Sequence, residues 1–303
     1  MRQTKLVIGV AMLALVGAAC SDSGSSLPEV PSTIVDVGSV STDDQATTTT
    51  AAAEPGEDSD AGSGDDTTTT TAFARLTTPA TESPPGEQAI TLATDDGEEL
   101  FARFWPGDDI AVLFTHEYNS AGTSSRGQRP PQSSETLSTL TWTMAGNGHT
   151  VLAVDFRGHG QSSGDQSVKR SQMDMKAAYE FLVEQGYTTI VGMAQSGSAP
   201  VMADLSATDP EFDLAGLGML FTPLGETGFD AGLALSEVDE PVWLVGIDVG
   251  SFGGVTKRLE PHVVSLYDRI VFPRVPSGLQ FIDVYGEEYL GRQLDFVEDV
   301  GSP

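Results

Sequence analysis

The sequence predicts an α/β fold with a mostly parallel central sheet and helices on both of its faces. Short apolar runs alternate with segments of helical periodicity from about residue 86 to the end of the chain. Runs such as Ile110–Thr115 are apolar throughout, which is typical of strands buried on both faces. Strands that alternate with helices imply right-handed crossovers between parallel strands, and therefore this architecture.

The elements follow one another in a regular order. A β-hairpin comes first, because an Asp-Gly turn at Asp96-Gly97 separates two short strand-like runs. The predicted strands are 89–93, 99–105, 110–115, 150–156, 189–193, 214–221, 242–247 and 269–275. The predicted helices are 134–145, 168–185, 201–207, 255–267 and 285–297.

The amino-terminal residues predict export. Arg2 and Lys5 precede an apolar run, 6–19, that is too short to span a bilayer and fits the core of a signal peptide. The segment Gly17-Ala18-Ala19-Cys20 resembles a bacterial lipoprotein processing box, in which the cysteine becomes the lipidated first residue. We therefore expect a signal peptide over 1–19 and a lipid anchor on Cys20 that attaches the chain to the cell membrane. Ordinary secretory cleavage is the alternative. The domain would face the exterior or the cell wall.

Residues 20–85 are predicted as a disordered tether and residues 86–303 as one domain. The tether is rich in Thr, Ser, Asp, Gly and Pro and its one aromatic residue is Phe73, so it has too little apolar surface to fold. The chain has a formal net charge of −29, which repels phosphates and excludes nucleic acid as an expected partner. Because Cys20 is the only cysteine, no disulfide is expected.

A run of small residues after the predicted strand 189–193 has the pattern of a nucleophile elbow, where a strand turns sharply into a helix. The motif G-x-S-x-G can be aligned with this run in two frames. The frame that starts at Gly192 places Ala194 at the apex, which removes the nucleophile. The frame shifted by two residues places Ser196 there. We favour Ala194, because a strand of ordinary length ends just before that frame.

Three segments together resemble the α/β-hydrolase superfamily. Residues 112–116 resemble the third strand and its oxyanion turn, and 190–200 resemble the elbow. Residues 155–162, Asp-Phe-Arg-Gly-His-Gly-Gln-Ser, are similar to the D-x-R-G-x-G-x-S loop that follows the fourth strand. The resemblance implies an α/β-hydrolase fold, and no insertion is long enough for a large cap domain.

The resemblance also implies a serine, an acid and a histidine in that order along the chain. Asp248 holds the acid position, with a turn or helix cap as its alternative role. The histidine position holds Leu279 or Gln280 instead. His116 matches the histidine of the oxyanion turn, which is structural in the family, and Glu117 follows it where glycine is usual. No histidines are spaced as a metal pair, so neither a metal nor another cofactor is expected.

The missing histidine predicts a chain without catalytic activity. A serine hydroxyl without a base is a weak nucleophile, and the loss of one triad member costs about 10⁴ to 10⁶ in turnover. We therefore expect an envelope lipoprotein that binds a small molecule or an envelope protein. One alternative is a serine hydrolase acting on esters or amides, in which Ser196 uses an unconventional base such as His262 or Glu117. Another is an envelope scaffold without a functional pocket.

Overall fold

The computed structural model describes residues 75, 77–118, 133–223, 228–249, 254–275 and 280–302. All of them belong to one compact unit, Thr68–Pro303. The predicted signal peptide, the predicted anchor Cys20 and most of the predicted tether lie outside these residues. In the described ranges, no helix has the length and apolar character needed to cross a membrane.

Eight strands of the described chain form one sheet in the order β1-β2-β4-β3-β5-β6-β7-β8. β1 pairs antiparallel with β2, and β2 pairs antiparallel with β4. The remaining pairs are parallel, as the sequence predicts. The strands are β1 (Gln88–Ala93), β2 (Glu99–Trp105), β3 (Ile110–Thr115), β4 (Thr150–Val154), β5 (Thr189–Gln195), β6 (Gly216–Leu220), β7 (Val242–Ile247) and β8 (Leu266–Phe272).

Helices cover both faces of the sheet, so an apolar core lies on each side of it. The core of one face includes residues of α2 to α5, such as Met175 and Val201. The core of the other face includes residues of α1 and α6, such as Met144 and Leu290. The helices are α1 (Ser138–Gly146), α2 (Ser171–Glu184), α3 (Ala199–Thr208), α4 (Ala231–Leu235), α5 (Val255–Leu259) and α6 (Phe281–Gly301).

Besides shifted ends, such as those of β8, predicted at 269–275, and α6, predicted at 285–297, two helical segments differ from the sequence prediction. The predicted helix 255–267 is too long, because α5 ends at Leu259 and β8 begins at Leu266. Pro261 lacks the N–H that would extend the helix, so the chain continues as a short 3₁₀ turn. Helix α4 was not predicted, since five residues are too few for a periodic signal. Its N-cap is Asp230, whose Oδ1 accepts hydrogen bonds from two backbone N–H groups.

Residues 77–85, which we call the strap, lie against the domain together with Arg75. Arg75 Nη1 donates to Asp295 Oδ1 of α6 at 2.6 Å. The Ala80 N–H donates to Thr143 Oγ1 of α1 at 3.2 Å. Trp105 Nε1 of β2 donates to Ser83 Oγ at 3.2 Å. The predicted boundary between tether and domain at residue 86 is therefore too late, because these contacts hold residues that the tether was expected to contain.

A glycine in α6 makes room for the strap. A Cβ atom at Gly286 would lie 2.7 Å from Pro79 Cγ, which is too close. Glycine inside a helix costs about 1 kcal/mol relative to alanine. The close approach of Pro79 gives a physical reason for glycine at this position.

Candidate active site

The turn from β5 into α3 has its apex at Ser196. β5 ends at Gln195, and Ser196–Ser198 form a 3₁₀ turn that leads directly into α3. Ser196 has a φ angle of 55°, in the left-handed region that residues other than glycine rarely adopt. A strained residue between a strand and a helix is the geometry of a nucleophile elbow, which lifts its side chain above the sheet.

The frame favoured from the sequence, with Ala194 at the apex, is wrong. Ala194 lies within β5, where it pairs with Thr115 of β3 and Met219 of β6, and it has no exposed surface. β5 runs two residues beyond its predicted end because Ala194 and Gln195 continue to pair with neighbouring strands. The backbone adopts the shifted frame, in which the apex residue is Ser196.

A carboxylate lies against the hydroxyl of Ser196. Ser196 Oγ donates a hydrogen bond to Glu117 Oε1 at 3.3 Å. Glu117 is the second residue after β3, and β3 is the parallel neighbour of β5, so both residues extend from the same edge of the sheet. Both side chains are half-buried. The structure thus brings together two residues that the sequence named as possible nucleophile and possible base.

His116 holds the backbone next to Glu117. The Phe156 N–H donates to His116 Nε2 at 3.1 Å, so the ring proton must be on Nδ1. Nδ1 in turn donates to the Glu117 carbonyl oxygen at 2.8 Å. Burial lowers the pKa of His116 to about 4, which keeps the ring neutral near pH 7. A neutral ring that accepts on one side and donates on the other fixes the start of the loop after β3.

We expect this buried histidine to make the fold sensitive to acid. In the unfolded chain its pKa is near 6.5, so the stability it contributes is complete above pH 6.5. As the pH falls, the unfolded state binds the proton first, and the loss is complete near pH 4. The loss amounts to about 3 kcal/mol. Urea unfolding at pH 7 and pH 4 measures it against His116→Gln, which keeps an acceptor for Phe156. Equal losses in both proteins would contradict the assignment.

The other three histidines do not replace the missing base. His149 Nδ1 contacts Asp108 Oδ2 at 3.0 Å, and His159 Nδ1 contacts the Arg157 carbonyl oxygen at 3.0 Å. His262, which the sequence offered as an unconventional base, lies beside Gly232 of α4. In the part of the chain that the structure describes, no hydrogen bond joins a histidine to Ser196. Of the two proposed bases, only Glu117 contacts the serine.

The positions expected for the triad histidine and acid have other surroundings. Gln280 is the N-cap of α6, where its side chain accepts from the Asp283 N–H and its own N–H donates to Asp283 Oδ2. Leu279 lies outside the described residues. Asp248 follows β7 and is exposed. Its N–H donates to the Phe272 carbonyl oxygen, and its carboxylate makes no hydrogen bond to another described residue. Gln280 therefore caps the start of a helix and does not act as a base for Ser196.

The loop after β4 is fixed by a buried ion network whose role the sequence motif alone did not reveal. The Arg157 side chain has no exposed surface, and its Nε donates to Asp174 Oδ1 at 2.8 Å. Its Nη1 donates to Asp96 Oδ2 at 2.7 Å. The guanidinium holds the pKa of Asp96 well below its usual range. This network ties the β1–β2 hairpin and α2 to the loop that follows β4.

The described residues contain no group of three or more His, Cys, Asp or Glu side chains that could hold a metal ion. The chemistry that this site offers is that of a hydroxyl beside a carboxylate. Next to them is the 3₁₀ turn Ser196–Ser198, which begins the helical segment. Backbone N–H groups at the start of a helix lack intrahelical partners, so the Gly197 N–H is placed to stabilise negative charge near Ser196.

No protein-family model matches this sequence, and no curated protein matches it either. Solved structures do resemble it. An esterase from Pyrococcus furiosus has a TM-score of 0.57 and 17% identity, over 71% of this chain and 91% of the esterase. An esterase from Exiguobacterium antarcticum has a TM-score of 0.55 and 10% identity, over 70% and 100%. A proline iminopeptidase from Mycobacterium smegmatis has a TM-score of 0.52 and 12% identity, over 71% and 99%.

The sheet order, the elbow at Ser196 and these similarities establish the class of fold. The chain has the α/β-hydrolase fold, as the resemblance in its sequence implies. Among the residues that the structure describes there is no large cap domain, and connections such as 221–241, between β6 and β7, are too short to form one. At these identities the likeness shows the fold alone.

Proposed function

We propose that this chain is a serine hydrolase of esters or amides, in which Ser196 is the nucleophile and Glu117 is the base. The hydrogen bond of 3.3 Å from Ser196 Oγ to Glu117 Oε1 carries the proposal. Two of the structures with a similar fold are named esterases and one a proline iminopeptidase, which supports the hydrolase class. These observations favour the catalytic alternative over the non-catalytic function predicted from the sequence.

The reaction would proceed in two halves. Ser196 Oγ attacks the substrate carbonyl carbon while its proton passes to Glu117 Oε1, and the carbonyl electron pair moves onto oxygen. The Gly197 N–H donates to this oxyanion, as the residue after the nucleophile does in this fold. The tetrahedral intermediate expels the alcohol or amine, which takes the proton from Glu117, and an acyl-Ser196 ester remains. Water then gives a proton to Glu117 and attacks the ester carbonyl carbon. The bond from that carbon to Ser196 Oγ breaks, Oγ takes the proton back from Glu117, and the acid is released.

The use of a carboxylate limits the rate of this chemistry. A carboxylate is a weaker base than an imidazole, since its ordinary pKa is about 4 rather than about 6.5. Removal of the histidine from a complete triad costs about 10⁴ to 10⁶ in turnover. We therefore expect slow hydrolysis of activated esters, at a rate above that of a protein surface and well below that of a triad enzyme.

Labelling with a fluorophosphonate tests the proposal. We expect stoichiometric labelling of the folded chain at Ser196, because such probes react with serines that a neighbouring base activates. Ser196→Ala should remove the label. Ser206→Ala is the matched control, since Ser206 Oγ also donates to a carboxylate, Glu240 Oε1, at 3.1 Å but lies in α3 away from the elbow apex. A folded wild-type chain that stays unlabelled would overturn the proposal.

One observation favours a second function, the non-catalytic binding of a small molecule or an envelope protein. Gln280 stands at the position expected for the histidine, and it is the N-cap of α6. If the folded chain neither reacts with fluorophosphonate nor hydrolyses activated esters, this second function is the one to pursue.

We also propose that the chain is exported and anchored to the cell membrane through a lipid on Cys20. The processing-box resemblance at 17–20, after a short apolar run, supports this proposal. Cys20→Ser should move the protein out of the membrane fraction or leave it uncleaved, as cell fractionation and mass spectrometry of the amino terminus would show. Processing and partition like those of the wild type would contradict the anchor.

A further inference from the structure

Two residues other than glycine have a left-handed φ angle in the described chain, and they are neighbours in space. Ser196 has a φ of 55° and Phe221 a φ of 54°. Gln195 of β5 pairs with Leu220 of β6, so each strained residue directly follows one member of this pair. Adjacent strands lie about 4.8 Å apart. Phe221 is therefore placed next to Ser196 at the carboxyl edge of the sheet.

The conformation of Phe221 calls for an explanation, because glycine would adopt the same φ angle without strain. Bulky residues in this region are true outliers, and such strain concentrates at functional sites. The Phe221 N–H donates to the Val245 carbonyl oxygen at 2.7 Å, which holds the backbone in place. Its ring packs edge-on against Phe281 at a centroid distance of 5.1 Å. Glycine would adopt this backbone angle more easily, so the reason for phenylalanine at position 221 is its ring.

Phe221 belongs to a group of half-buried rings that we call the aromatic wall, formed by Phe221, Phe281 and Tyr285. The rings of Phe281 and Tyr285 are 5.6 Å apart, and the buried Phe272 supports both from β8. Phe281 directly follows Gln280, the N-cap of α6, so the wall lies at the start of that helix. In the order of the strands, Phe221 follows β6 on one side of Ser196, and Glu117, which accepts from Ser196 Oγ, follows β3 on the other side.

We infer that the aromatic wall selects the substrate, which is an uncharged ester or amide with an aromatic group beside the carbonyl that Ser196 attacks. This inference rests on the proposed reaction at Ser196. Aromatic groups pack favourably on exposed ring faces and edges. An anionic group at the same place would meet the Glu117 carboxylate in a chain of net charge −29, and like charges repel. Phe221 is then a specificity-determining residue rather than a catalytic one.

Binding to the Ser196→Ala chain tests the wall without turnover. The probes are methyl phenylacetate, methyl acetate and the phenylacetate ion, titrated by NMR. We expect methyl phenylacetate to bind at least about tenfold more tightly than either of the others. Adding Phe221→Gly should remove this preference, and this change relieves the strained φ angle, so the variant should fold. Tyr285→Leu is the second variant and should weaken the preference without touching β6.

The matched control is Phe181→Ala in the same Ser196→Ala chain. Phe181 is half-buried and pairs edge-on with Phe104 at 5.2 Å, but it lies on α2. Its removal should leave the affinity for methyl phenylacetate unchanged. Equal affinities for the three probes, or a preference that survives both Phe221→Gly and Tyr285→Leu, would overturn the inference.

Hydrolysis by the wild-type chain separates this inference from the proposed function. Selective binding without any hydrolysis would contradict the reaction at Ser196 and leave the wall as a ligand site. Hydrolysis of methyl acetate and methyl phenylacetate with equal kcat/KM would support the reaction and overturn the role of the wall.

Discussion

Replacing Glu117 with glutamine should slow fluorophosphonate labelling of Ser196 by at least about 100-fold. Glutamine has nearly the same size and can still accept a hydrogen bond from Ser196 Oγ, but it cannot take up the proton. A positioned general base contributes about 10² to 10⁴ to the rate. The second-order labelling rate measures the effect on the attack by Ser196, and the turnover of an activated ester measures the effect on the whole cycle.

The control for this change is Glu240→Gln, which alters the carboxylate that accepts from Ser206 and should leave the labelling rate unchanged. Unfolding in urea shows whether each variant keeps its stability. Labelling that is as fast in Glu117→Gln as in the wild type would refute the assignment of the base. Faster labelling would show that the carboxylate opposes the oxyanion, which is the effect expected of Glu117 if it had no catalytic role.

Replacing Arg157 with methionine should destabilise the fold by about 3 to 5 kcal/mol, the usual cost of breaking a buried ion pair. Both Arg157 and Asp174 have no exposed side-chain surface. The substitution fills a similar space but leaves the Asp174 carboxylate buried without its cation. The free energy of unfolding, measured in urea at pH 7, gives the loss directly.

Two further variants separate charge from packing. Arg75→Met removes an ion pair with Asp295 at the surface, and we expect it to cost less than about 1 kcal/mol. The double variant Arg157→Met with Asp174→Leu should recover part of the loss, because an apolar pair can replace a buried ion pair, although the Arg157 N–H loses its acceptor, Asp174 Oδ2. A cost for Arg157→Met as small as that for Arg75→Met would show that the network is not important for stability.

Apart from the short helix α4, the sequence was sufficient for the order of strands and helices, because buried parallel strands are apolar throughout and the longer helices have their own period. It failed where pairing with distant strands sets the length of an element. Nothing local indicates that Ala194 and Gln195 continue β5, since their partners Thr115 and Leu220 come from β3 and β6. The two-residue error in β5 is what placed Ala194 rather than Ser196 at the elbow.

The sequence identified the residues of the candidate site, Glu117 and Ser196, but it did not predict the contact between them. Glu117 was recognisable as unusual because it stands where glycine is expected beside His116. Its contact with Ser196 depends on the packing of the loop after β3 against the elbow, which are 79 positions apart in the chain. The strain at Phe221 leaves no trace in the sequence, because phenylalanine ordinarily adopts extended backbone angles at the end of a strand.

The strap and Arg75 lie on the domain at a distance from Ser196, and this distance matters for any attachment made through them. Arg75 contacts Asp295 in the second half of α6, whereas α6 starts at Phe281, beside Phe221 and the edge that carries Ser196. At a rise of 1.5 Å per residue, the helix separates these two points by about 20 Å. A support attached at Arg75 itself would therefore hold the domain at the end of α6 that is farther from Ser196.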